Sequence, residues 1–163
     1  MAAAYVGSSG LVDLLLEHGA SVDQVGPLGK NALYAAISGN QSTIIPHLLA
    51  KGVDIHHRDF QGYTPLHFAV YWNSPEAVQI LLEHGADLDT RDNNGRSVFE
   101  VKRYGLPTEQ SIHNLLQQYQ HNNLQHQTTL FYLIAQILQS ELIPTQTPPE
   151  LIPAPPPELN PST

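Results

Sequence analysis

Apolar residues recur at helical spacing in short segments that come in pairs along the first part of the chain. The clearest pair lies between residues 64 and 84, where apolar positions three and four residues apart predict two helices, each with one buried face. These positions are Leu66, Ala69 and Val70 in the first helix, and Ala77, Val78, Leu81 and Leu82 in the second. A segment rich in turn-forming residues follows, so the pattern predicts a unit of helix, turn, helix and hairpin.

Polar residues, prolines and a glycine mark the ends of these two helices. Thr64-Pro65 and Ser74-Pro75 each place a capping hydroxyl before a proline, which is typical of a helix start. Gly85 follows the second helix, where a residue with left-handed backbone angles commonly ends a helix. The sequence therefore predicts capped helix starts at Thr64 and Ser74 and a helix end at Gly85.

The same unit recurs with a period of 33 residues. The hexapeptide LLEHGA occurs at residues 15–20 and again at residues 81–86, and the related LLAKGV lies midway, at residues 48–53. A fixed period between about 20 and 50 residues is typical of proteins built from stacked repeats. The pattern predicts about two full copies, of which residues 59–91 are the better one, and two partial copies.

The third copy resembles the ankyrin repeats. TPLHFA at residues 64–69 matches their T-P-L-H-x-A signature, and the 33-residue period is theirs as well. The resemblance covers residues 3 to about 116 and implies an all-α solenoid of helix-turn-helix units with hairpin loops. It also implies that the signature histidine, His67, connects hairpin and helix through hydrogen bonds.

The other copies depart from this signature. The second has NALY at residues 31–34 in place of Thr-Pro-Leu-His, and its Pro46 should lie at a solvent-facing or first-turn position of the second helix. The fourth has Lys102-Arg103 where small residues belong, which predicts a terminal cap. The first copy begins at Ala3-Ala4, inside a first helix, so we expect a fragment of a longer array or a wrongly assigned start.

The sequence after the repeats divides into a helix, a connector, a second helix and a tail. Residues 111–120 have the spacing of the second helix of the last copy, and a polar connector follows. Residues 129–142 predict an amphipathic helix that either covers the C-terminal end of the stack or binds a partner. Eight prolines from residue 144 on predict a disordered tail, whose PxxP spacing at 153–156 could dock to an aromatic groove. The predicted domains are a repeat stack at 1–120, connector and helix at 121–143, and a Pro-rich tail at 144–163.

Composition limits the classes of function. Fifteen acidic residues against seven Lys and Arg give a net charge of −8, which disfavours nucleic acid as a partner because phosphate contacts need cations. The chain has no cysteine, which excludes disulfides and thiolate zinc sites. We expect neither a secretory signal nor a membrane span, which needs about 20 mostly apolar residues. The sequence therefore favours an intracellular protein, cytoplasmic or nuclear.

The sequence contains no motif that carries catalysis or binds a cofactor. It has neither the G-x-S-x-G turn of hydrolases nor a phosphate-binding loop. His18 and His84 lie at the ends of second helices, where a cation suits the helix dipole, and His56-His57 should diverge on a hairpin tip. We therefore predict no enzyme activity, cofactor, metal site or small-molecule substrate. Elemental analysis would test the rival hypothesis of a metal-dependent hydrolase.

Four aromatic residues at positions that packing of the stack does not require, including the single Trp, fall within 13 residues of the third copy. The resemblance implies that a partner protein contacts the hairpin tips and the exposed side of each first helix, and aromatic anchors dominate such interfaces. The predicted partner-binding residues are Phe60, Gln61, Tyr63, Tyr71 and Trp72, with Leu28, Lys30, Asn94 and Arg96 from the flanking tips. The alternative is that Phe60 and Trp72 only pack on neighbouring hairpins.

These observations together predict a non-enzymatic protein-interaction module. Its partner would be another protein, bound on the concave hairpin and helix face by a rigid surface that serves as a scaffold. The alternative is a regulatory ankyrin segment of a larger enzyme or channel whose active domain lies outside this chain.

Overall fold

The computed structural model describes residues 1–101 and 110–142, the last three by their backbone, and these residues form seven α-helices and no strand. The helices are α1 (Ala2–Tyr5), α2 (Ser9–Glu17), α3 (Ala32–Ser38), α4 (Ile45–Ala50), α5 (Pro65–Tyr71), α6 (Pro75–Glu83) and α7 (Gln110–Leu142). The predicted all-α class is thereby confirmed. The expected cap at Lys102-Arg103 and the Pro-rich segment at 144–163 lie outside the described residues.

The first six helices form three pairs that follow one another along the chain, as the repeat predicts. Each first helix contacts the next, α1 with α3 and α3 with α5, while α4 contacts α6. Contacts also join the two helices within each pair. Because each pair buries its apolar side mainly against neighbouring pairs, the arrangement is a linear stack.

Three hairpin turns precede the first helices at the 33-residue period. In each turn the first residue donates its amide to the carbonyl four residues on, at 2.8 Å in 26–30, 3.0 Å in 59–63 and 2.9 Å in 92–96. Neighbouring turns are joined by the Phe60 amide to the Leu28 carbonyl and by the Asn93 amide to the Gln61 carbonyl, both at 3.0 Å. These bonds align the tips of successive repeats.

The predicted helix ends of the third copy are confirmed with one exception. Thr64 caps α5, since its hydroxyl accepts from the His67 amide while the Thr64 amide donates back to His67 Nδ1. Gly85 has a φ of +86°, so it does end α6 in the left-handed region. Ser74 occupies the capping position of α6, but its side chain makes no capping hydrogen bond. The start of α6 therefore depends on Pro75 and on packing.

The second copy reaches the same form with different residues. Asn31 replaces the capping threonine, because its side-chain oxygen accepts from the Leu33 amide at 3.0 Å and its Nδ2 donates to the Asp54 carbonyl at 2.9 Å. A short 3-10 turn at Ser42–Ile44 leads into α4, which places Pro46 in the first turn. The proline is exposed, as expected, and removes no hydrogen bond that the helix needs.

The C-terminal helix α7 joins the stack through its first turns. Ile112 and Leu116 are fully buried in the common core, and Leu115 and Tyr119 pack against it, which is the packing expected if residues 111–120 form the second helix of the last copy. The helix then continues through residues 121–128, where the sequence predicted a separate polar connector. By contact, the chain divides into two compact units, residues 1–123 and the part from Leu124 on.

Candidate functional site

A row of aromatic rings crosses the first helices of the second and third copies. Tyr34 on α3 lies 5.1 Å from Phe68 on α5, measured between ring centres, and Phe68 lies 5.9 Å from Trp72. Tyr71 continues the row at 6.2 Å from Trp72 and 6.3 Å from Tyr63. These separations are typical of tilted and edge-to-face aromatic pairs, so the rings support one another.

The row is exposed at Trp72, and the hairpin tips beside it carry further exposed apolar groups. Trp72 is 39% exposed and Tyr71 is half-buried, whereas Phe68 lies beneath them, 5% exposed. Phe60 is 75% exposed at one tip and Leu28 is 61% exposed at the preceding tip. The structure therefore places several solvent-accessible apolar side chains above or beside a buried aromatic ring, that of Phe68.

Phe60 is held in place although it is exposed. Its ring lies against the backbone of Gly29 in the preceding turn, where an added Cβ would come within 2.6 Å of the ring. Gly29 also has a φ of +74°, a conformation that favours glycine. The expected packing of Phe60 on a neighbouring hairpin is thus present, and it leaves three quarters of the side chain accessible.

Tyr63 is buried, in contrast to its expected place on an exposed tip. It is 8% exposed, its ring stacks on His67 at 5.7 Å, and its hydroxyl accepts from Arg96 Nη2 at 2.9 Å. Burial also raises the pKa of Tyr63 above its ordinary value. Because Arg96 of the next hairpin covers it, Tyr63 lies beneath the exposed residues of the tip and not among them.

The two cations predicted for this surface differ in their surroundings. Arg96 forms an ion pair with Asp92 at 2.7 Å and bonds to Tyr63, so its charge is largely compensated. Lys30 places Nζ 4.1 Å from the centre of the Phe68 ring, and none of the described carboxylates lies within ion-pair distance of it. Lys30 therefore presents a half-buried positive charge beside the aromatic row.

The aspartates of the turns direct their charge inward. Asp59 Oδ1 accepts from the amides of Gln61 and Tyr63, both at 2.9 Å, and Asp92 Oδ1 accepts from the equivalent amides of Asn94 and Arg96. Burial acts to raise the pKa of Asp92, but the hydrogen bonds from Arg96 outweigh it and hold that pKa below its ordinary value. Gln61 and Asn94 therefore stand exposed on rigid tips.

The buried polar side chains of the first helices have structural contacts. His67 Nδ1 lies 2.8 Å from the Thr64 hydroxyl, and burial lowers the pKa of His67, which keeps the ring neutral. Tyr34 stands one period earlier and donates its hydroxyl to the carbonyls of His57 and Tyr63. His67 Nε2 makes no hydrogen bond among the described residues, and the ring is fully buried. Neither group is accessible to a substrate.

Several of the remaining histidines bond to backbone carbonyls. His18 and His84 donate from Nδ1 to the carbonyls of Leu14 and Ile80, both at 2.8 Å, at the ends of α2 and α6. His57 bonds to the Gly29 carbonyl at 2.6 Å. Among the residues that the structure describes, no three His, Asp or Glu side chains are grouped as metal ligands, and no helix has the length and hydropathy to cross a membrane.

Sequence inspection missed Phe68 as the centre of this site. Its spacing to Trp72, which follows four residues later at the C-terminal end of α5, was a signal, because residues four apart along a helix lie on the same side. The position of Lys30 above its ring had no local signal, since 38 residues separate the two in the chain.

The family profile described as ankyrin repeats, three copies, matches residues 1–92, which is more than half of the chain. This range contains the three helix pairs and the turns at 26–30 and 59–63. No curated protein matches the chain significantly. Ankyrin repeats generally mediate protein–protein interactions and are generally not catalytic. On this match, and on the stacked helix pairs with their 33-residue period, the chain belongs to the ankyrin repeat family.

Proposed function

We propose that this chain is a non-enzymatic interaction module whose protein partner binds the side formed by the hairpin tips and the first helices. The observation that carries the proposal is Phe60, a large aromatic side chain that is 75% exposed yet held against the preceding hairpin. Trp72 adds a second accessible aromatic group at the C-terminal end of the adjoining helix. Large rings on a rigid support are the residues that dominate protein interfaces.

Preorganisation supports this assignment. The hairpin tips are connected by backbone hydrogen bonds, and the aspartates at their bases hold the turn amides. A partner that meets such a surface immobilises few side chains, so less of its binding free energy is lost as conformational entropy. Leu28, Gln61 and Asn94 surround the aromatic anchors and would form the rim that excludes water.

The regulatory alternative uses the same surface. If the chain is the ankyrin segment of a larger enzyme or channel, Phe60 and Trp72 would contact a domain of that protein, and the same variants test both roles. An intracellular location, in the cytoplasm or the nucleus, stays a prediction from composition.

The test is selection of peptides from a random phage-displayed library on the full chain, followed by affinity measurements on variants. Trp72→Ala and Phe60→Ala should each weaken the selected peptides by about 2 kcal/mol or more, which is roughly thirtyfold in Kd. Their free energies of unfolding should fall by less than about 1 kcal/mol for Phe60→Ala and only slightly more for Trp72→Ala, because both side chains retain solvent contact.

Leu14→Ala is the matched control, since Leu14 is an exposed apolar side chain on α2, away from the hairpin tips. It should leave peptide affinity unchanged. Peptides that bind both aromatic variants as tightly as the original chain would refute the proposal. A large loss of stability in Trp72→Ala would show that Trp72 is a residue of the core and not of the binding surface.

A further inference from the structure

The second unit carries an apolar stripe on α7 that the proposed function does not use. The stripe consists of Leu130, Leu133, Ile134, Ile137 and Leu138, which follow the i, i+3, i+4, i+7, i+8 spacing of one helix face. All five side chains are between 43% and 59% exposed. Five large aliphatic groups within nine residues exceed the scattered apolar residues that ordinary protein surfaces show.

The surroundings of the stripe are uncharged. From residue 110 to residue 140 the chain contains no Asp, Glu, Lys or Arg, although the whole sequence has a net charge of −8. The polar positions of this helix are occupied by Gln, Asn, His, Ser and Thr. The solvent-facing side of a helix normally carries several charged residues. Their absence over these 31 residues is therefore unusual for a protein surface.

This neutrality distinguishes between possible occupants of the stripe. Helices that lie on anionic membranes use Lys and Arg on the polar side, and this segment has none. A strongly charged partner would find no complementary group here. Two copies of the same chain, in contrast, place like groups close together around a two-fold axis, and an uncharged surface is free of the repulsion that a net charge would cause.

We propose that residues 124–139 of α7 pair with the same residues of a second copy and so form a homodimer. The contact is isologous: the apolar stripe of each helix covers that of the other, as the interlocking aliphatic side chains of helix pairs do. The proposal concerns the second unit alone and stands apart from the aromatic surface of the first. A dimer would present two such surfaces to a partner.

The mass of the full 163-residue chain, measured by sedimentation equilibrium from about 1 to about 200 µM, tests the proposal. The original chain should change from monomer to dimer within this range. Ile134→Glu should raise the dimer dissociation constant at least about thirtyfold, because it would bury a charge in the apolar contact. Gln139→Glu, which adds the same charge about 140° away around the helix, should dimerise like the original chain.

A second measurement uses the absence of cysteine in the chain. Ile134→Cys should form an oxidised dimer at least about tenfold faster than Gln139→Cys, because only the first thiol lies in the contact. A chain that stays monomeric throughout the range refutes the proposal. So does an Ile134→Glu dimer as stable as the original, or binding of the monomer to phosphatidylserine vesicles in place of dimerisation.

Discussion

The hexapeptide LLEHGA forms the same local structure twice and has two different environments. In both copies the histidine donates from Nδ1 to a carbonyl four residues back at 2.8 Å, and the glycine has a φ of +86°. Yet Leu81 is fully buried in the third copy, while Leu15, its equivalent in the first, is 43% exposed. The hexapeptide that begins at each leucine is identical and has the same local conformation, so local conformation does not decide burial.

Neighbouring repeats account for the difference. The third copy lies against the second through α3 and α4, and its apolar side chains are covered. In the first copy, Leu11, Leu14 and Leu15 of α2 are 40–50% exposed, and a cavity of about 160 Å³ lies beside Leu15 and Leu48. Because each repeat buries its apolar faces against its neighbours, repeats that share this hexapeptide should differ in stability according to their position.

The largest expected effect is at this leucine pair. Leu81→Ala should lower the free energy of unfolding by about 2–5 kcal/mol, because it leaves a cavity in a fully packed contact. Leu15→Ala should cost no more than about 1 kcal/mol, since much of the side chain is already in water. Urea denaturation of both variants measures the difference. Equal losses would mean that position in the stack has little influence.

Replacing either of two glycines by alanine should change the free energy of unfolding by a smaller amount, and the two changes should have opposite signs. A Cβ at Gly39 would lie 2.0 Å from the Tyr5 carbonyl oxygen, so Gly39→Ala should force α1 away from α3 and cost about 1–3 kcal/mol. Gly10 lies within α2 and has no heavy atom within 4 Å of such a Cβ. Gly10→Ala should therefore stabilise the chain by about 0.5–1 kcal/mol. Thermal melting distinguishes the signs, and a stabilising Gly39→Ala would contradict the close contact.

The smallest expected effect comes from Asp13, which connects the first two copies through an ion pair with Lys51 and a hydrogen bond with His47. Asp13 on α2 lies 2.7 Å from Lys51 Nζ and 3.1 Å from His47 Nε2. The hydrogen bond from Lys51 lowers the pKa of Asp13 below its ordinary value of 3.8. The carboxylate therefore contributes its stabilisation above that value and loses it as the pH falls further.

Asp13→Asn should reduce the urea midpoint slightly at neutral pH, as expected for an exposed pair. The difference between this variant and the original chain should shrink as the pH falls below about 3.8, and also in high salt. A difference that grows as the pH falls below about 3.8 would show that another group is responsible.

Residues with local partners were predicted well from the sequence. The cap at Thr64, the left-handed Gly85 and the first-turn Pro46 depend on contacts within a few residues, and the structure confirms all three. Ser74 was also expected to cap, but its side chain makes no such bond. A hydroxyl at the right position is a frequent cap, and packing of the helix can replace it.

The candidate site was predictable only in part. The exposure of Phe60 at a tip followed from the repeat frame, whereas the burial of Tyr63 did not. Tyr63 is covered because Arg96, one period later, donates to its hydroxyl, and His67 stacks on its ring. The contact between Lys30 and the Phe68 ring also joins two different repeats, so the sequence near either residue could not predict it.

The sequence by itself determined the family, the helix pairs and the period, because the signals for these features lie within one turn of helix or recur at fixed spacing. Tertiary structure alone decided which copy of LLEHGA is buried and which aromatic rings solvent can reach. The exposure of a side chain depends on atoms supplied by the adjacent repeat, about 33 residues away in the chain. The identical hexapeptides that begin at Leu15 and Leu81 therefore cannot reveal it.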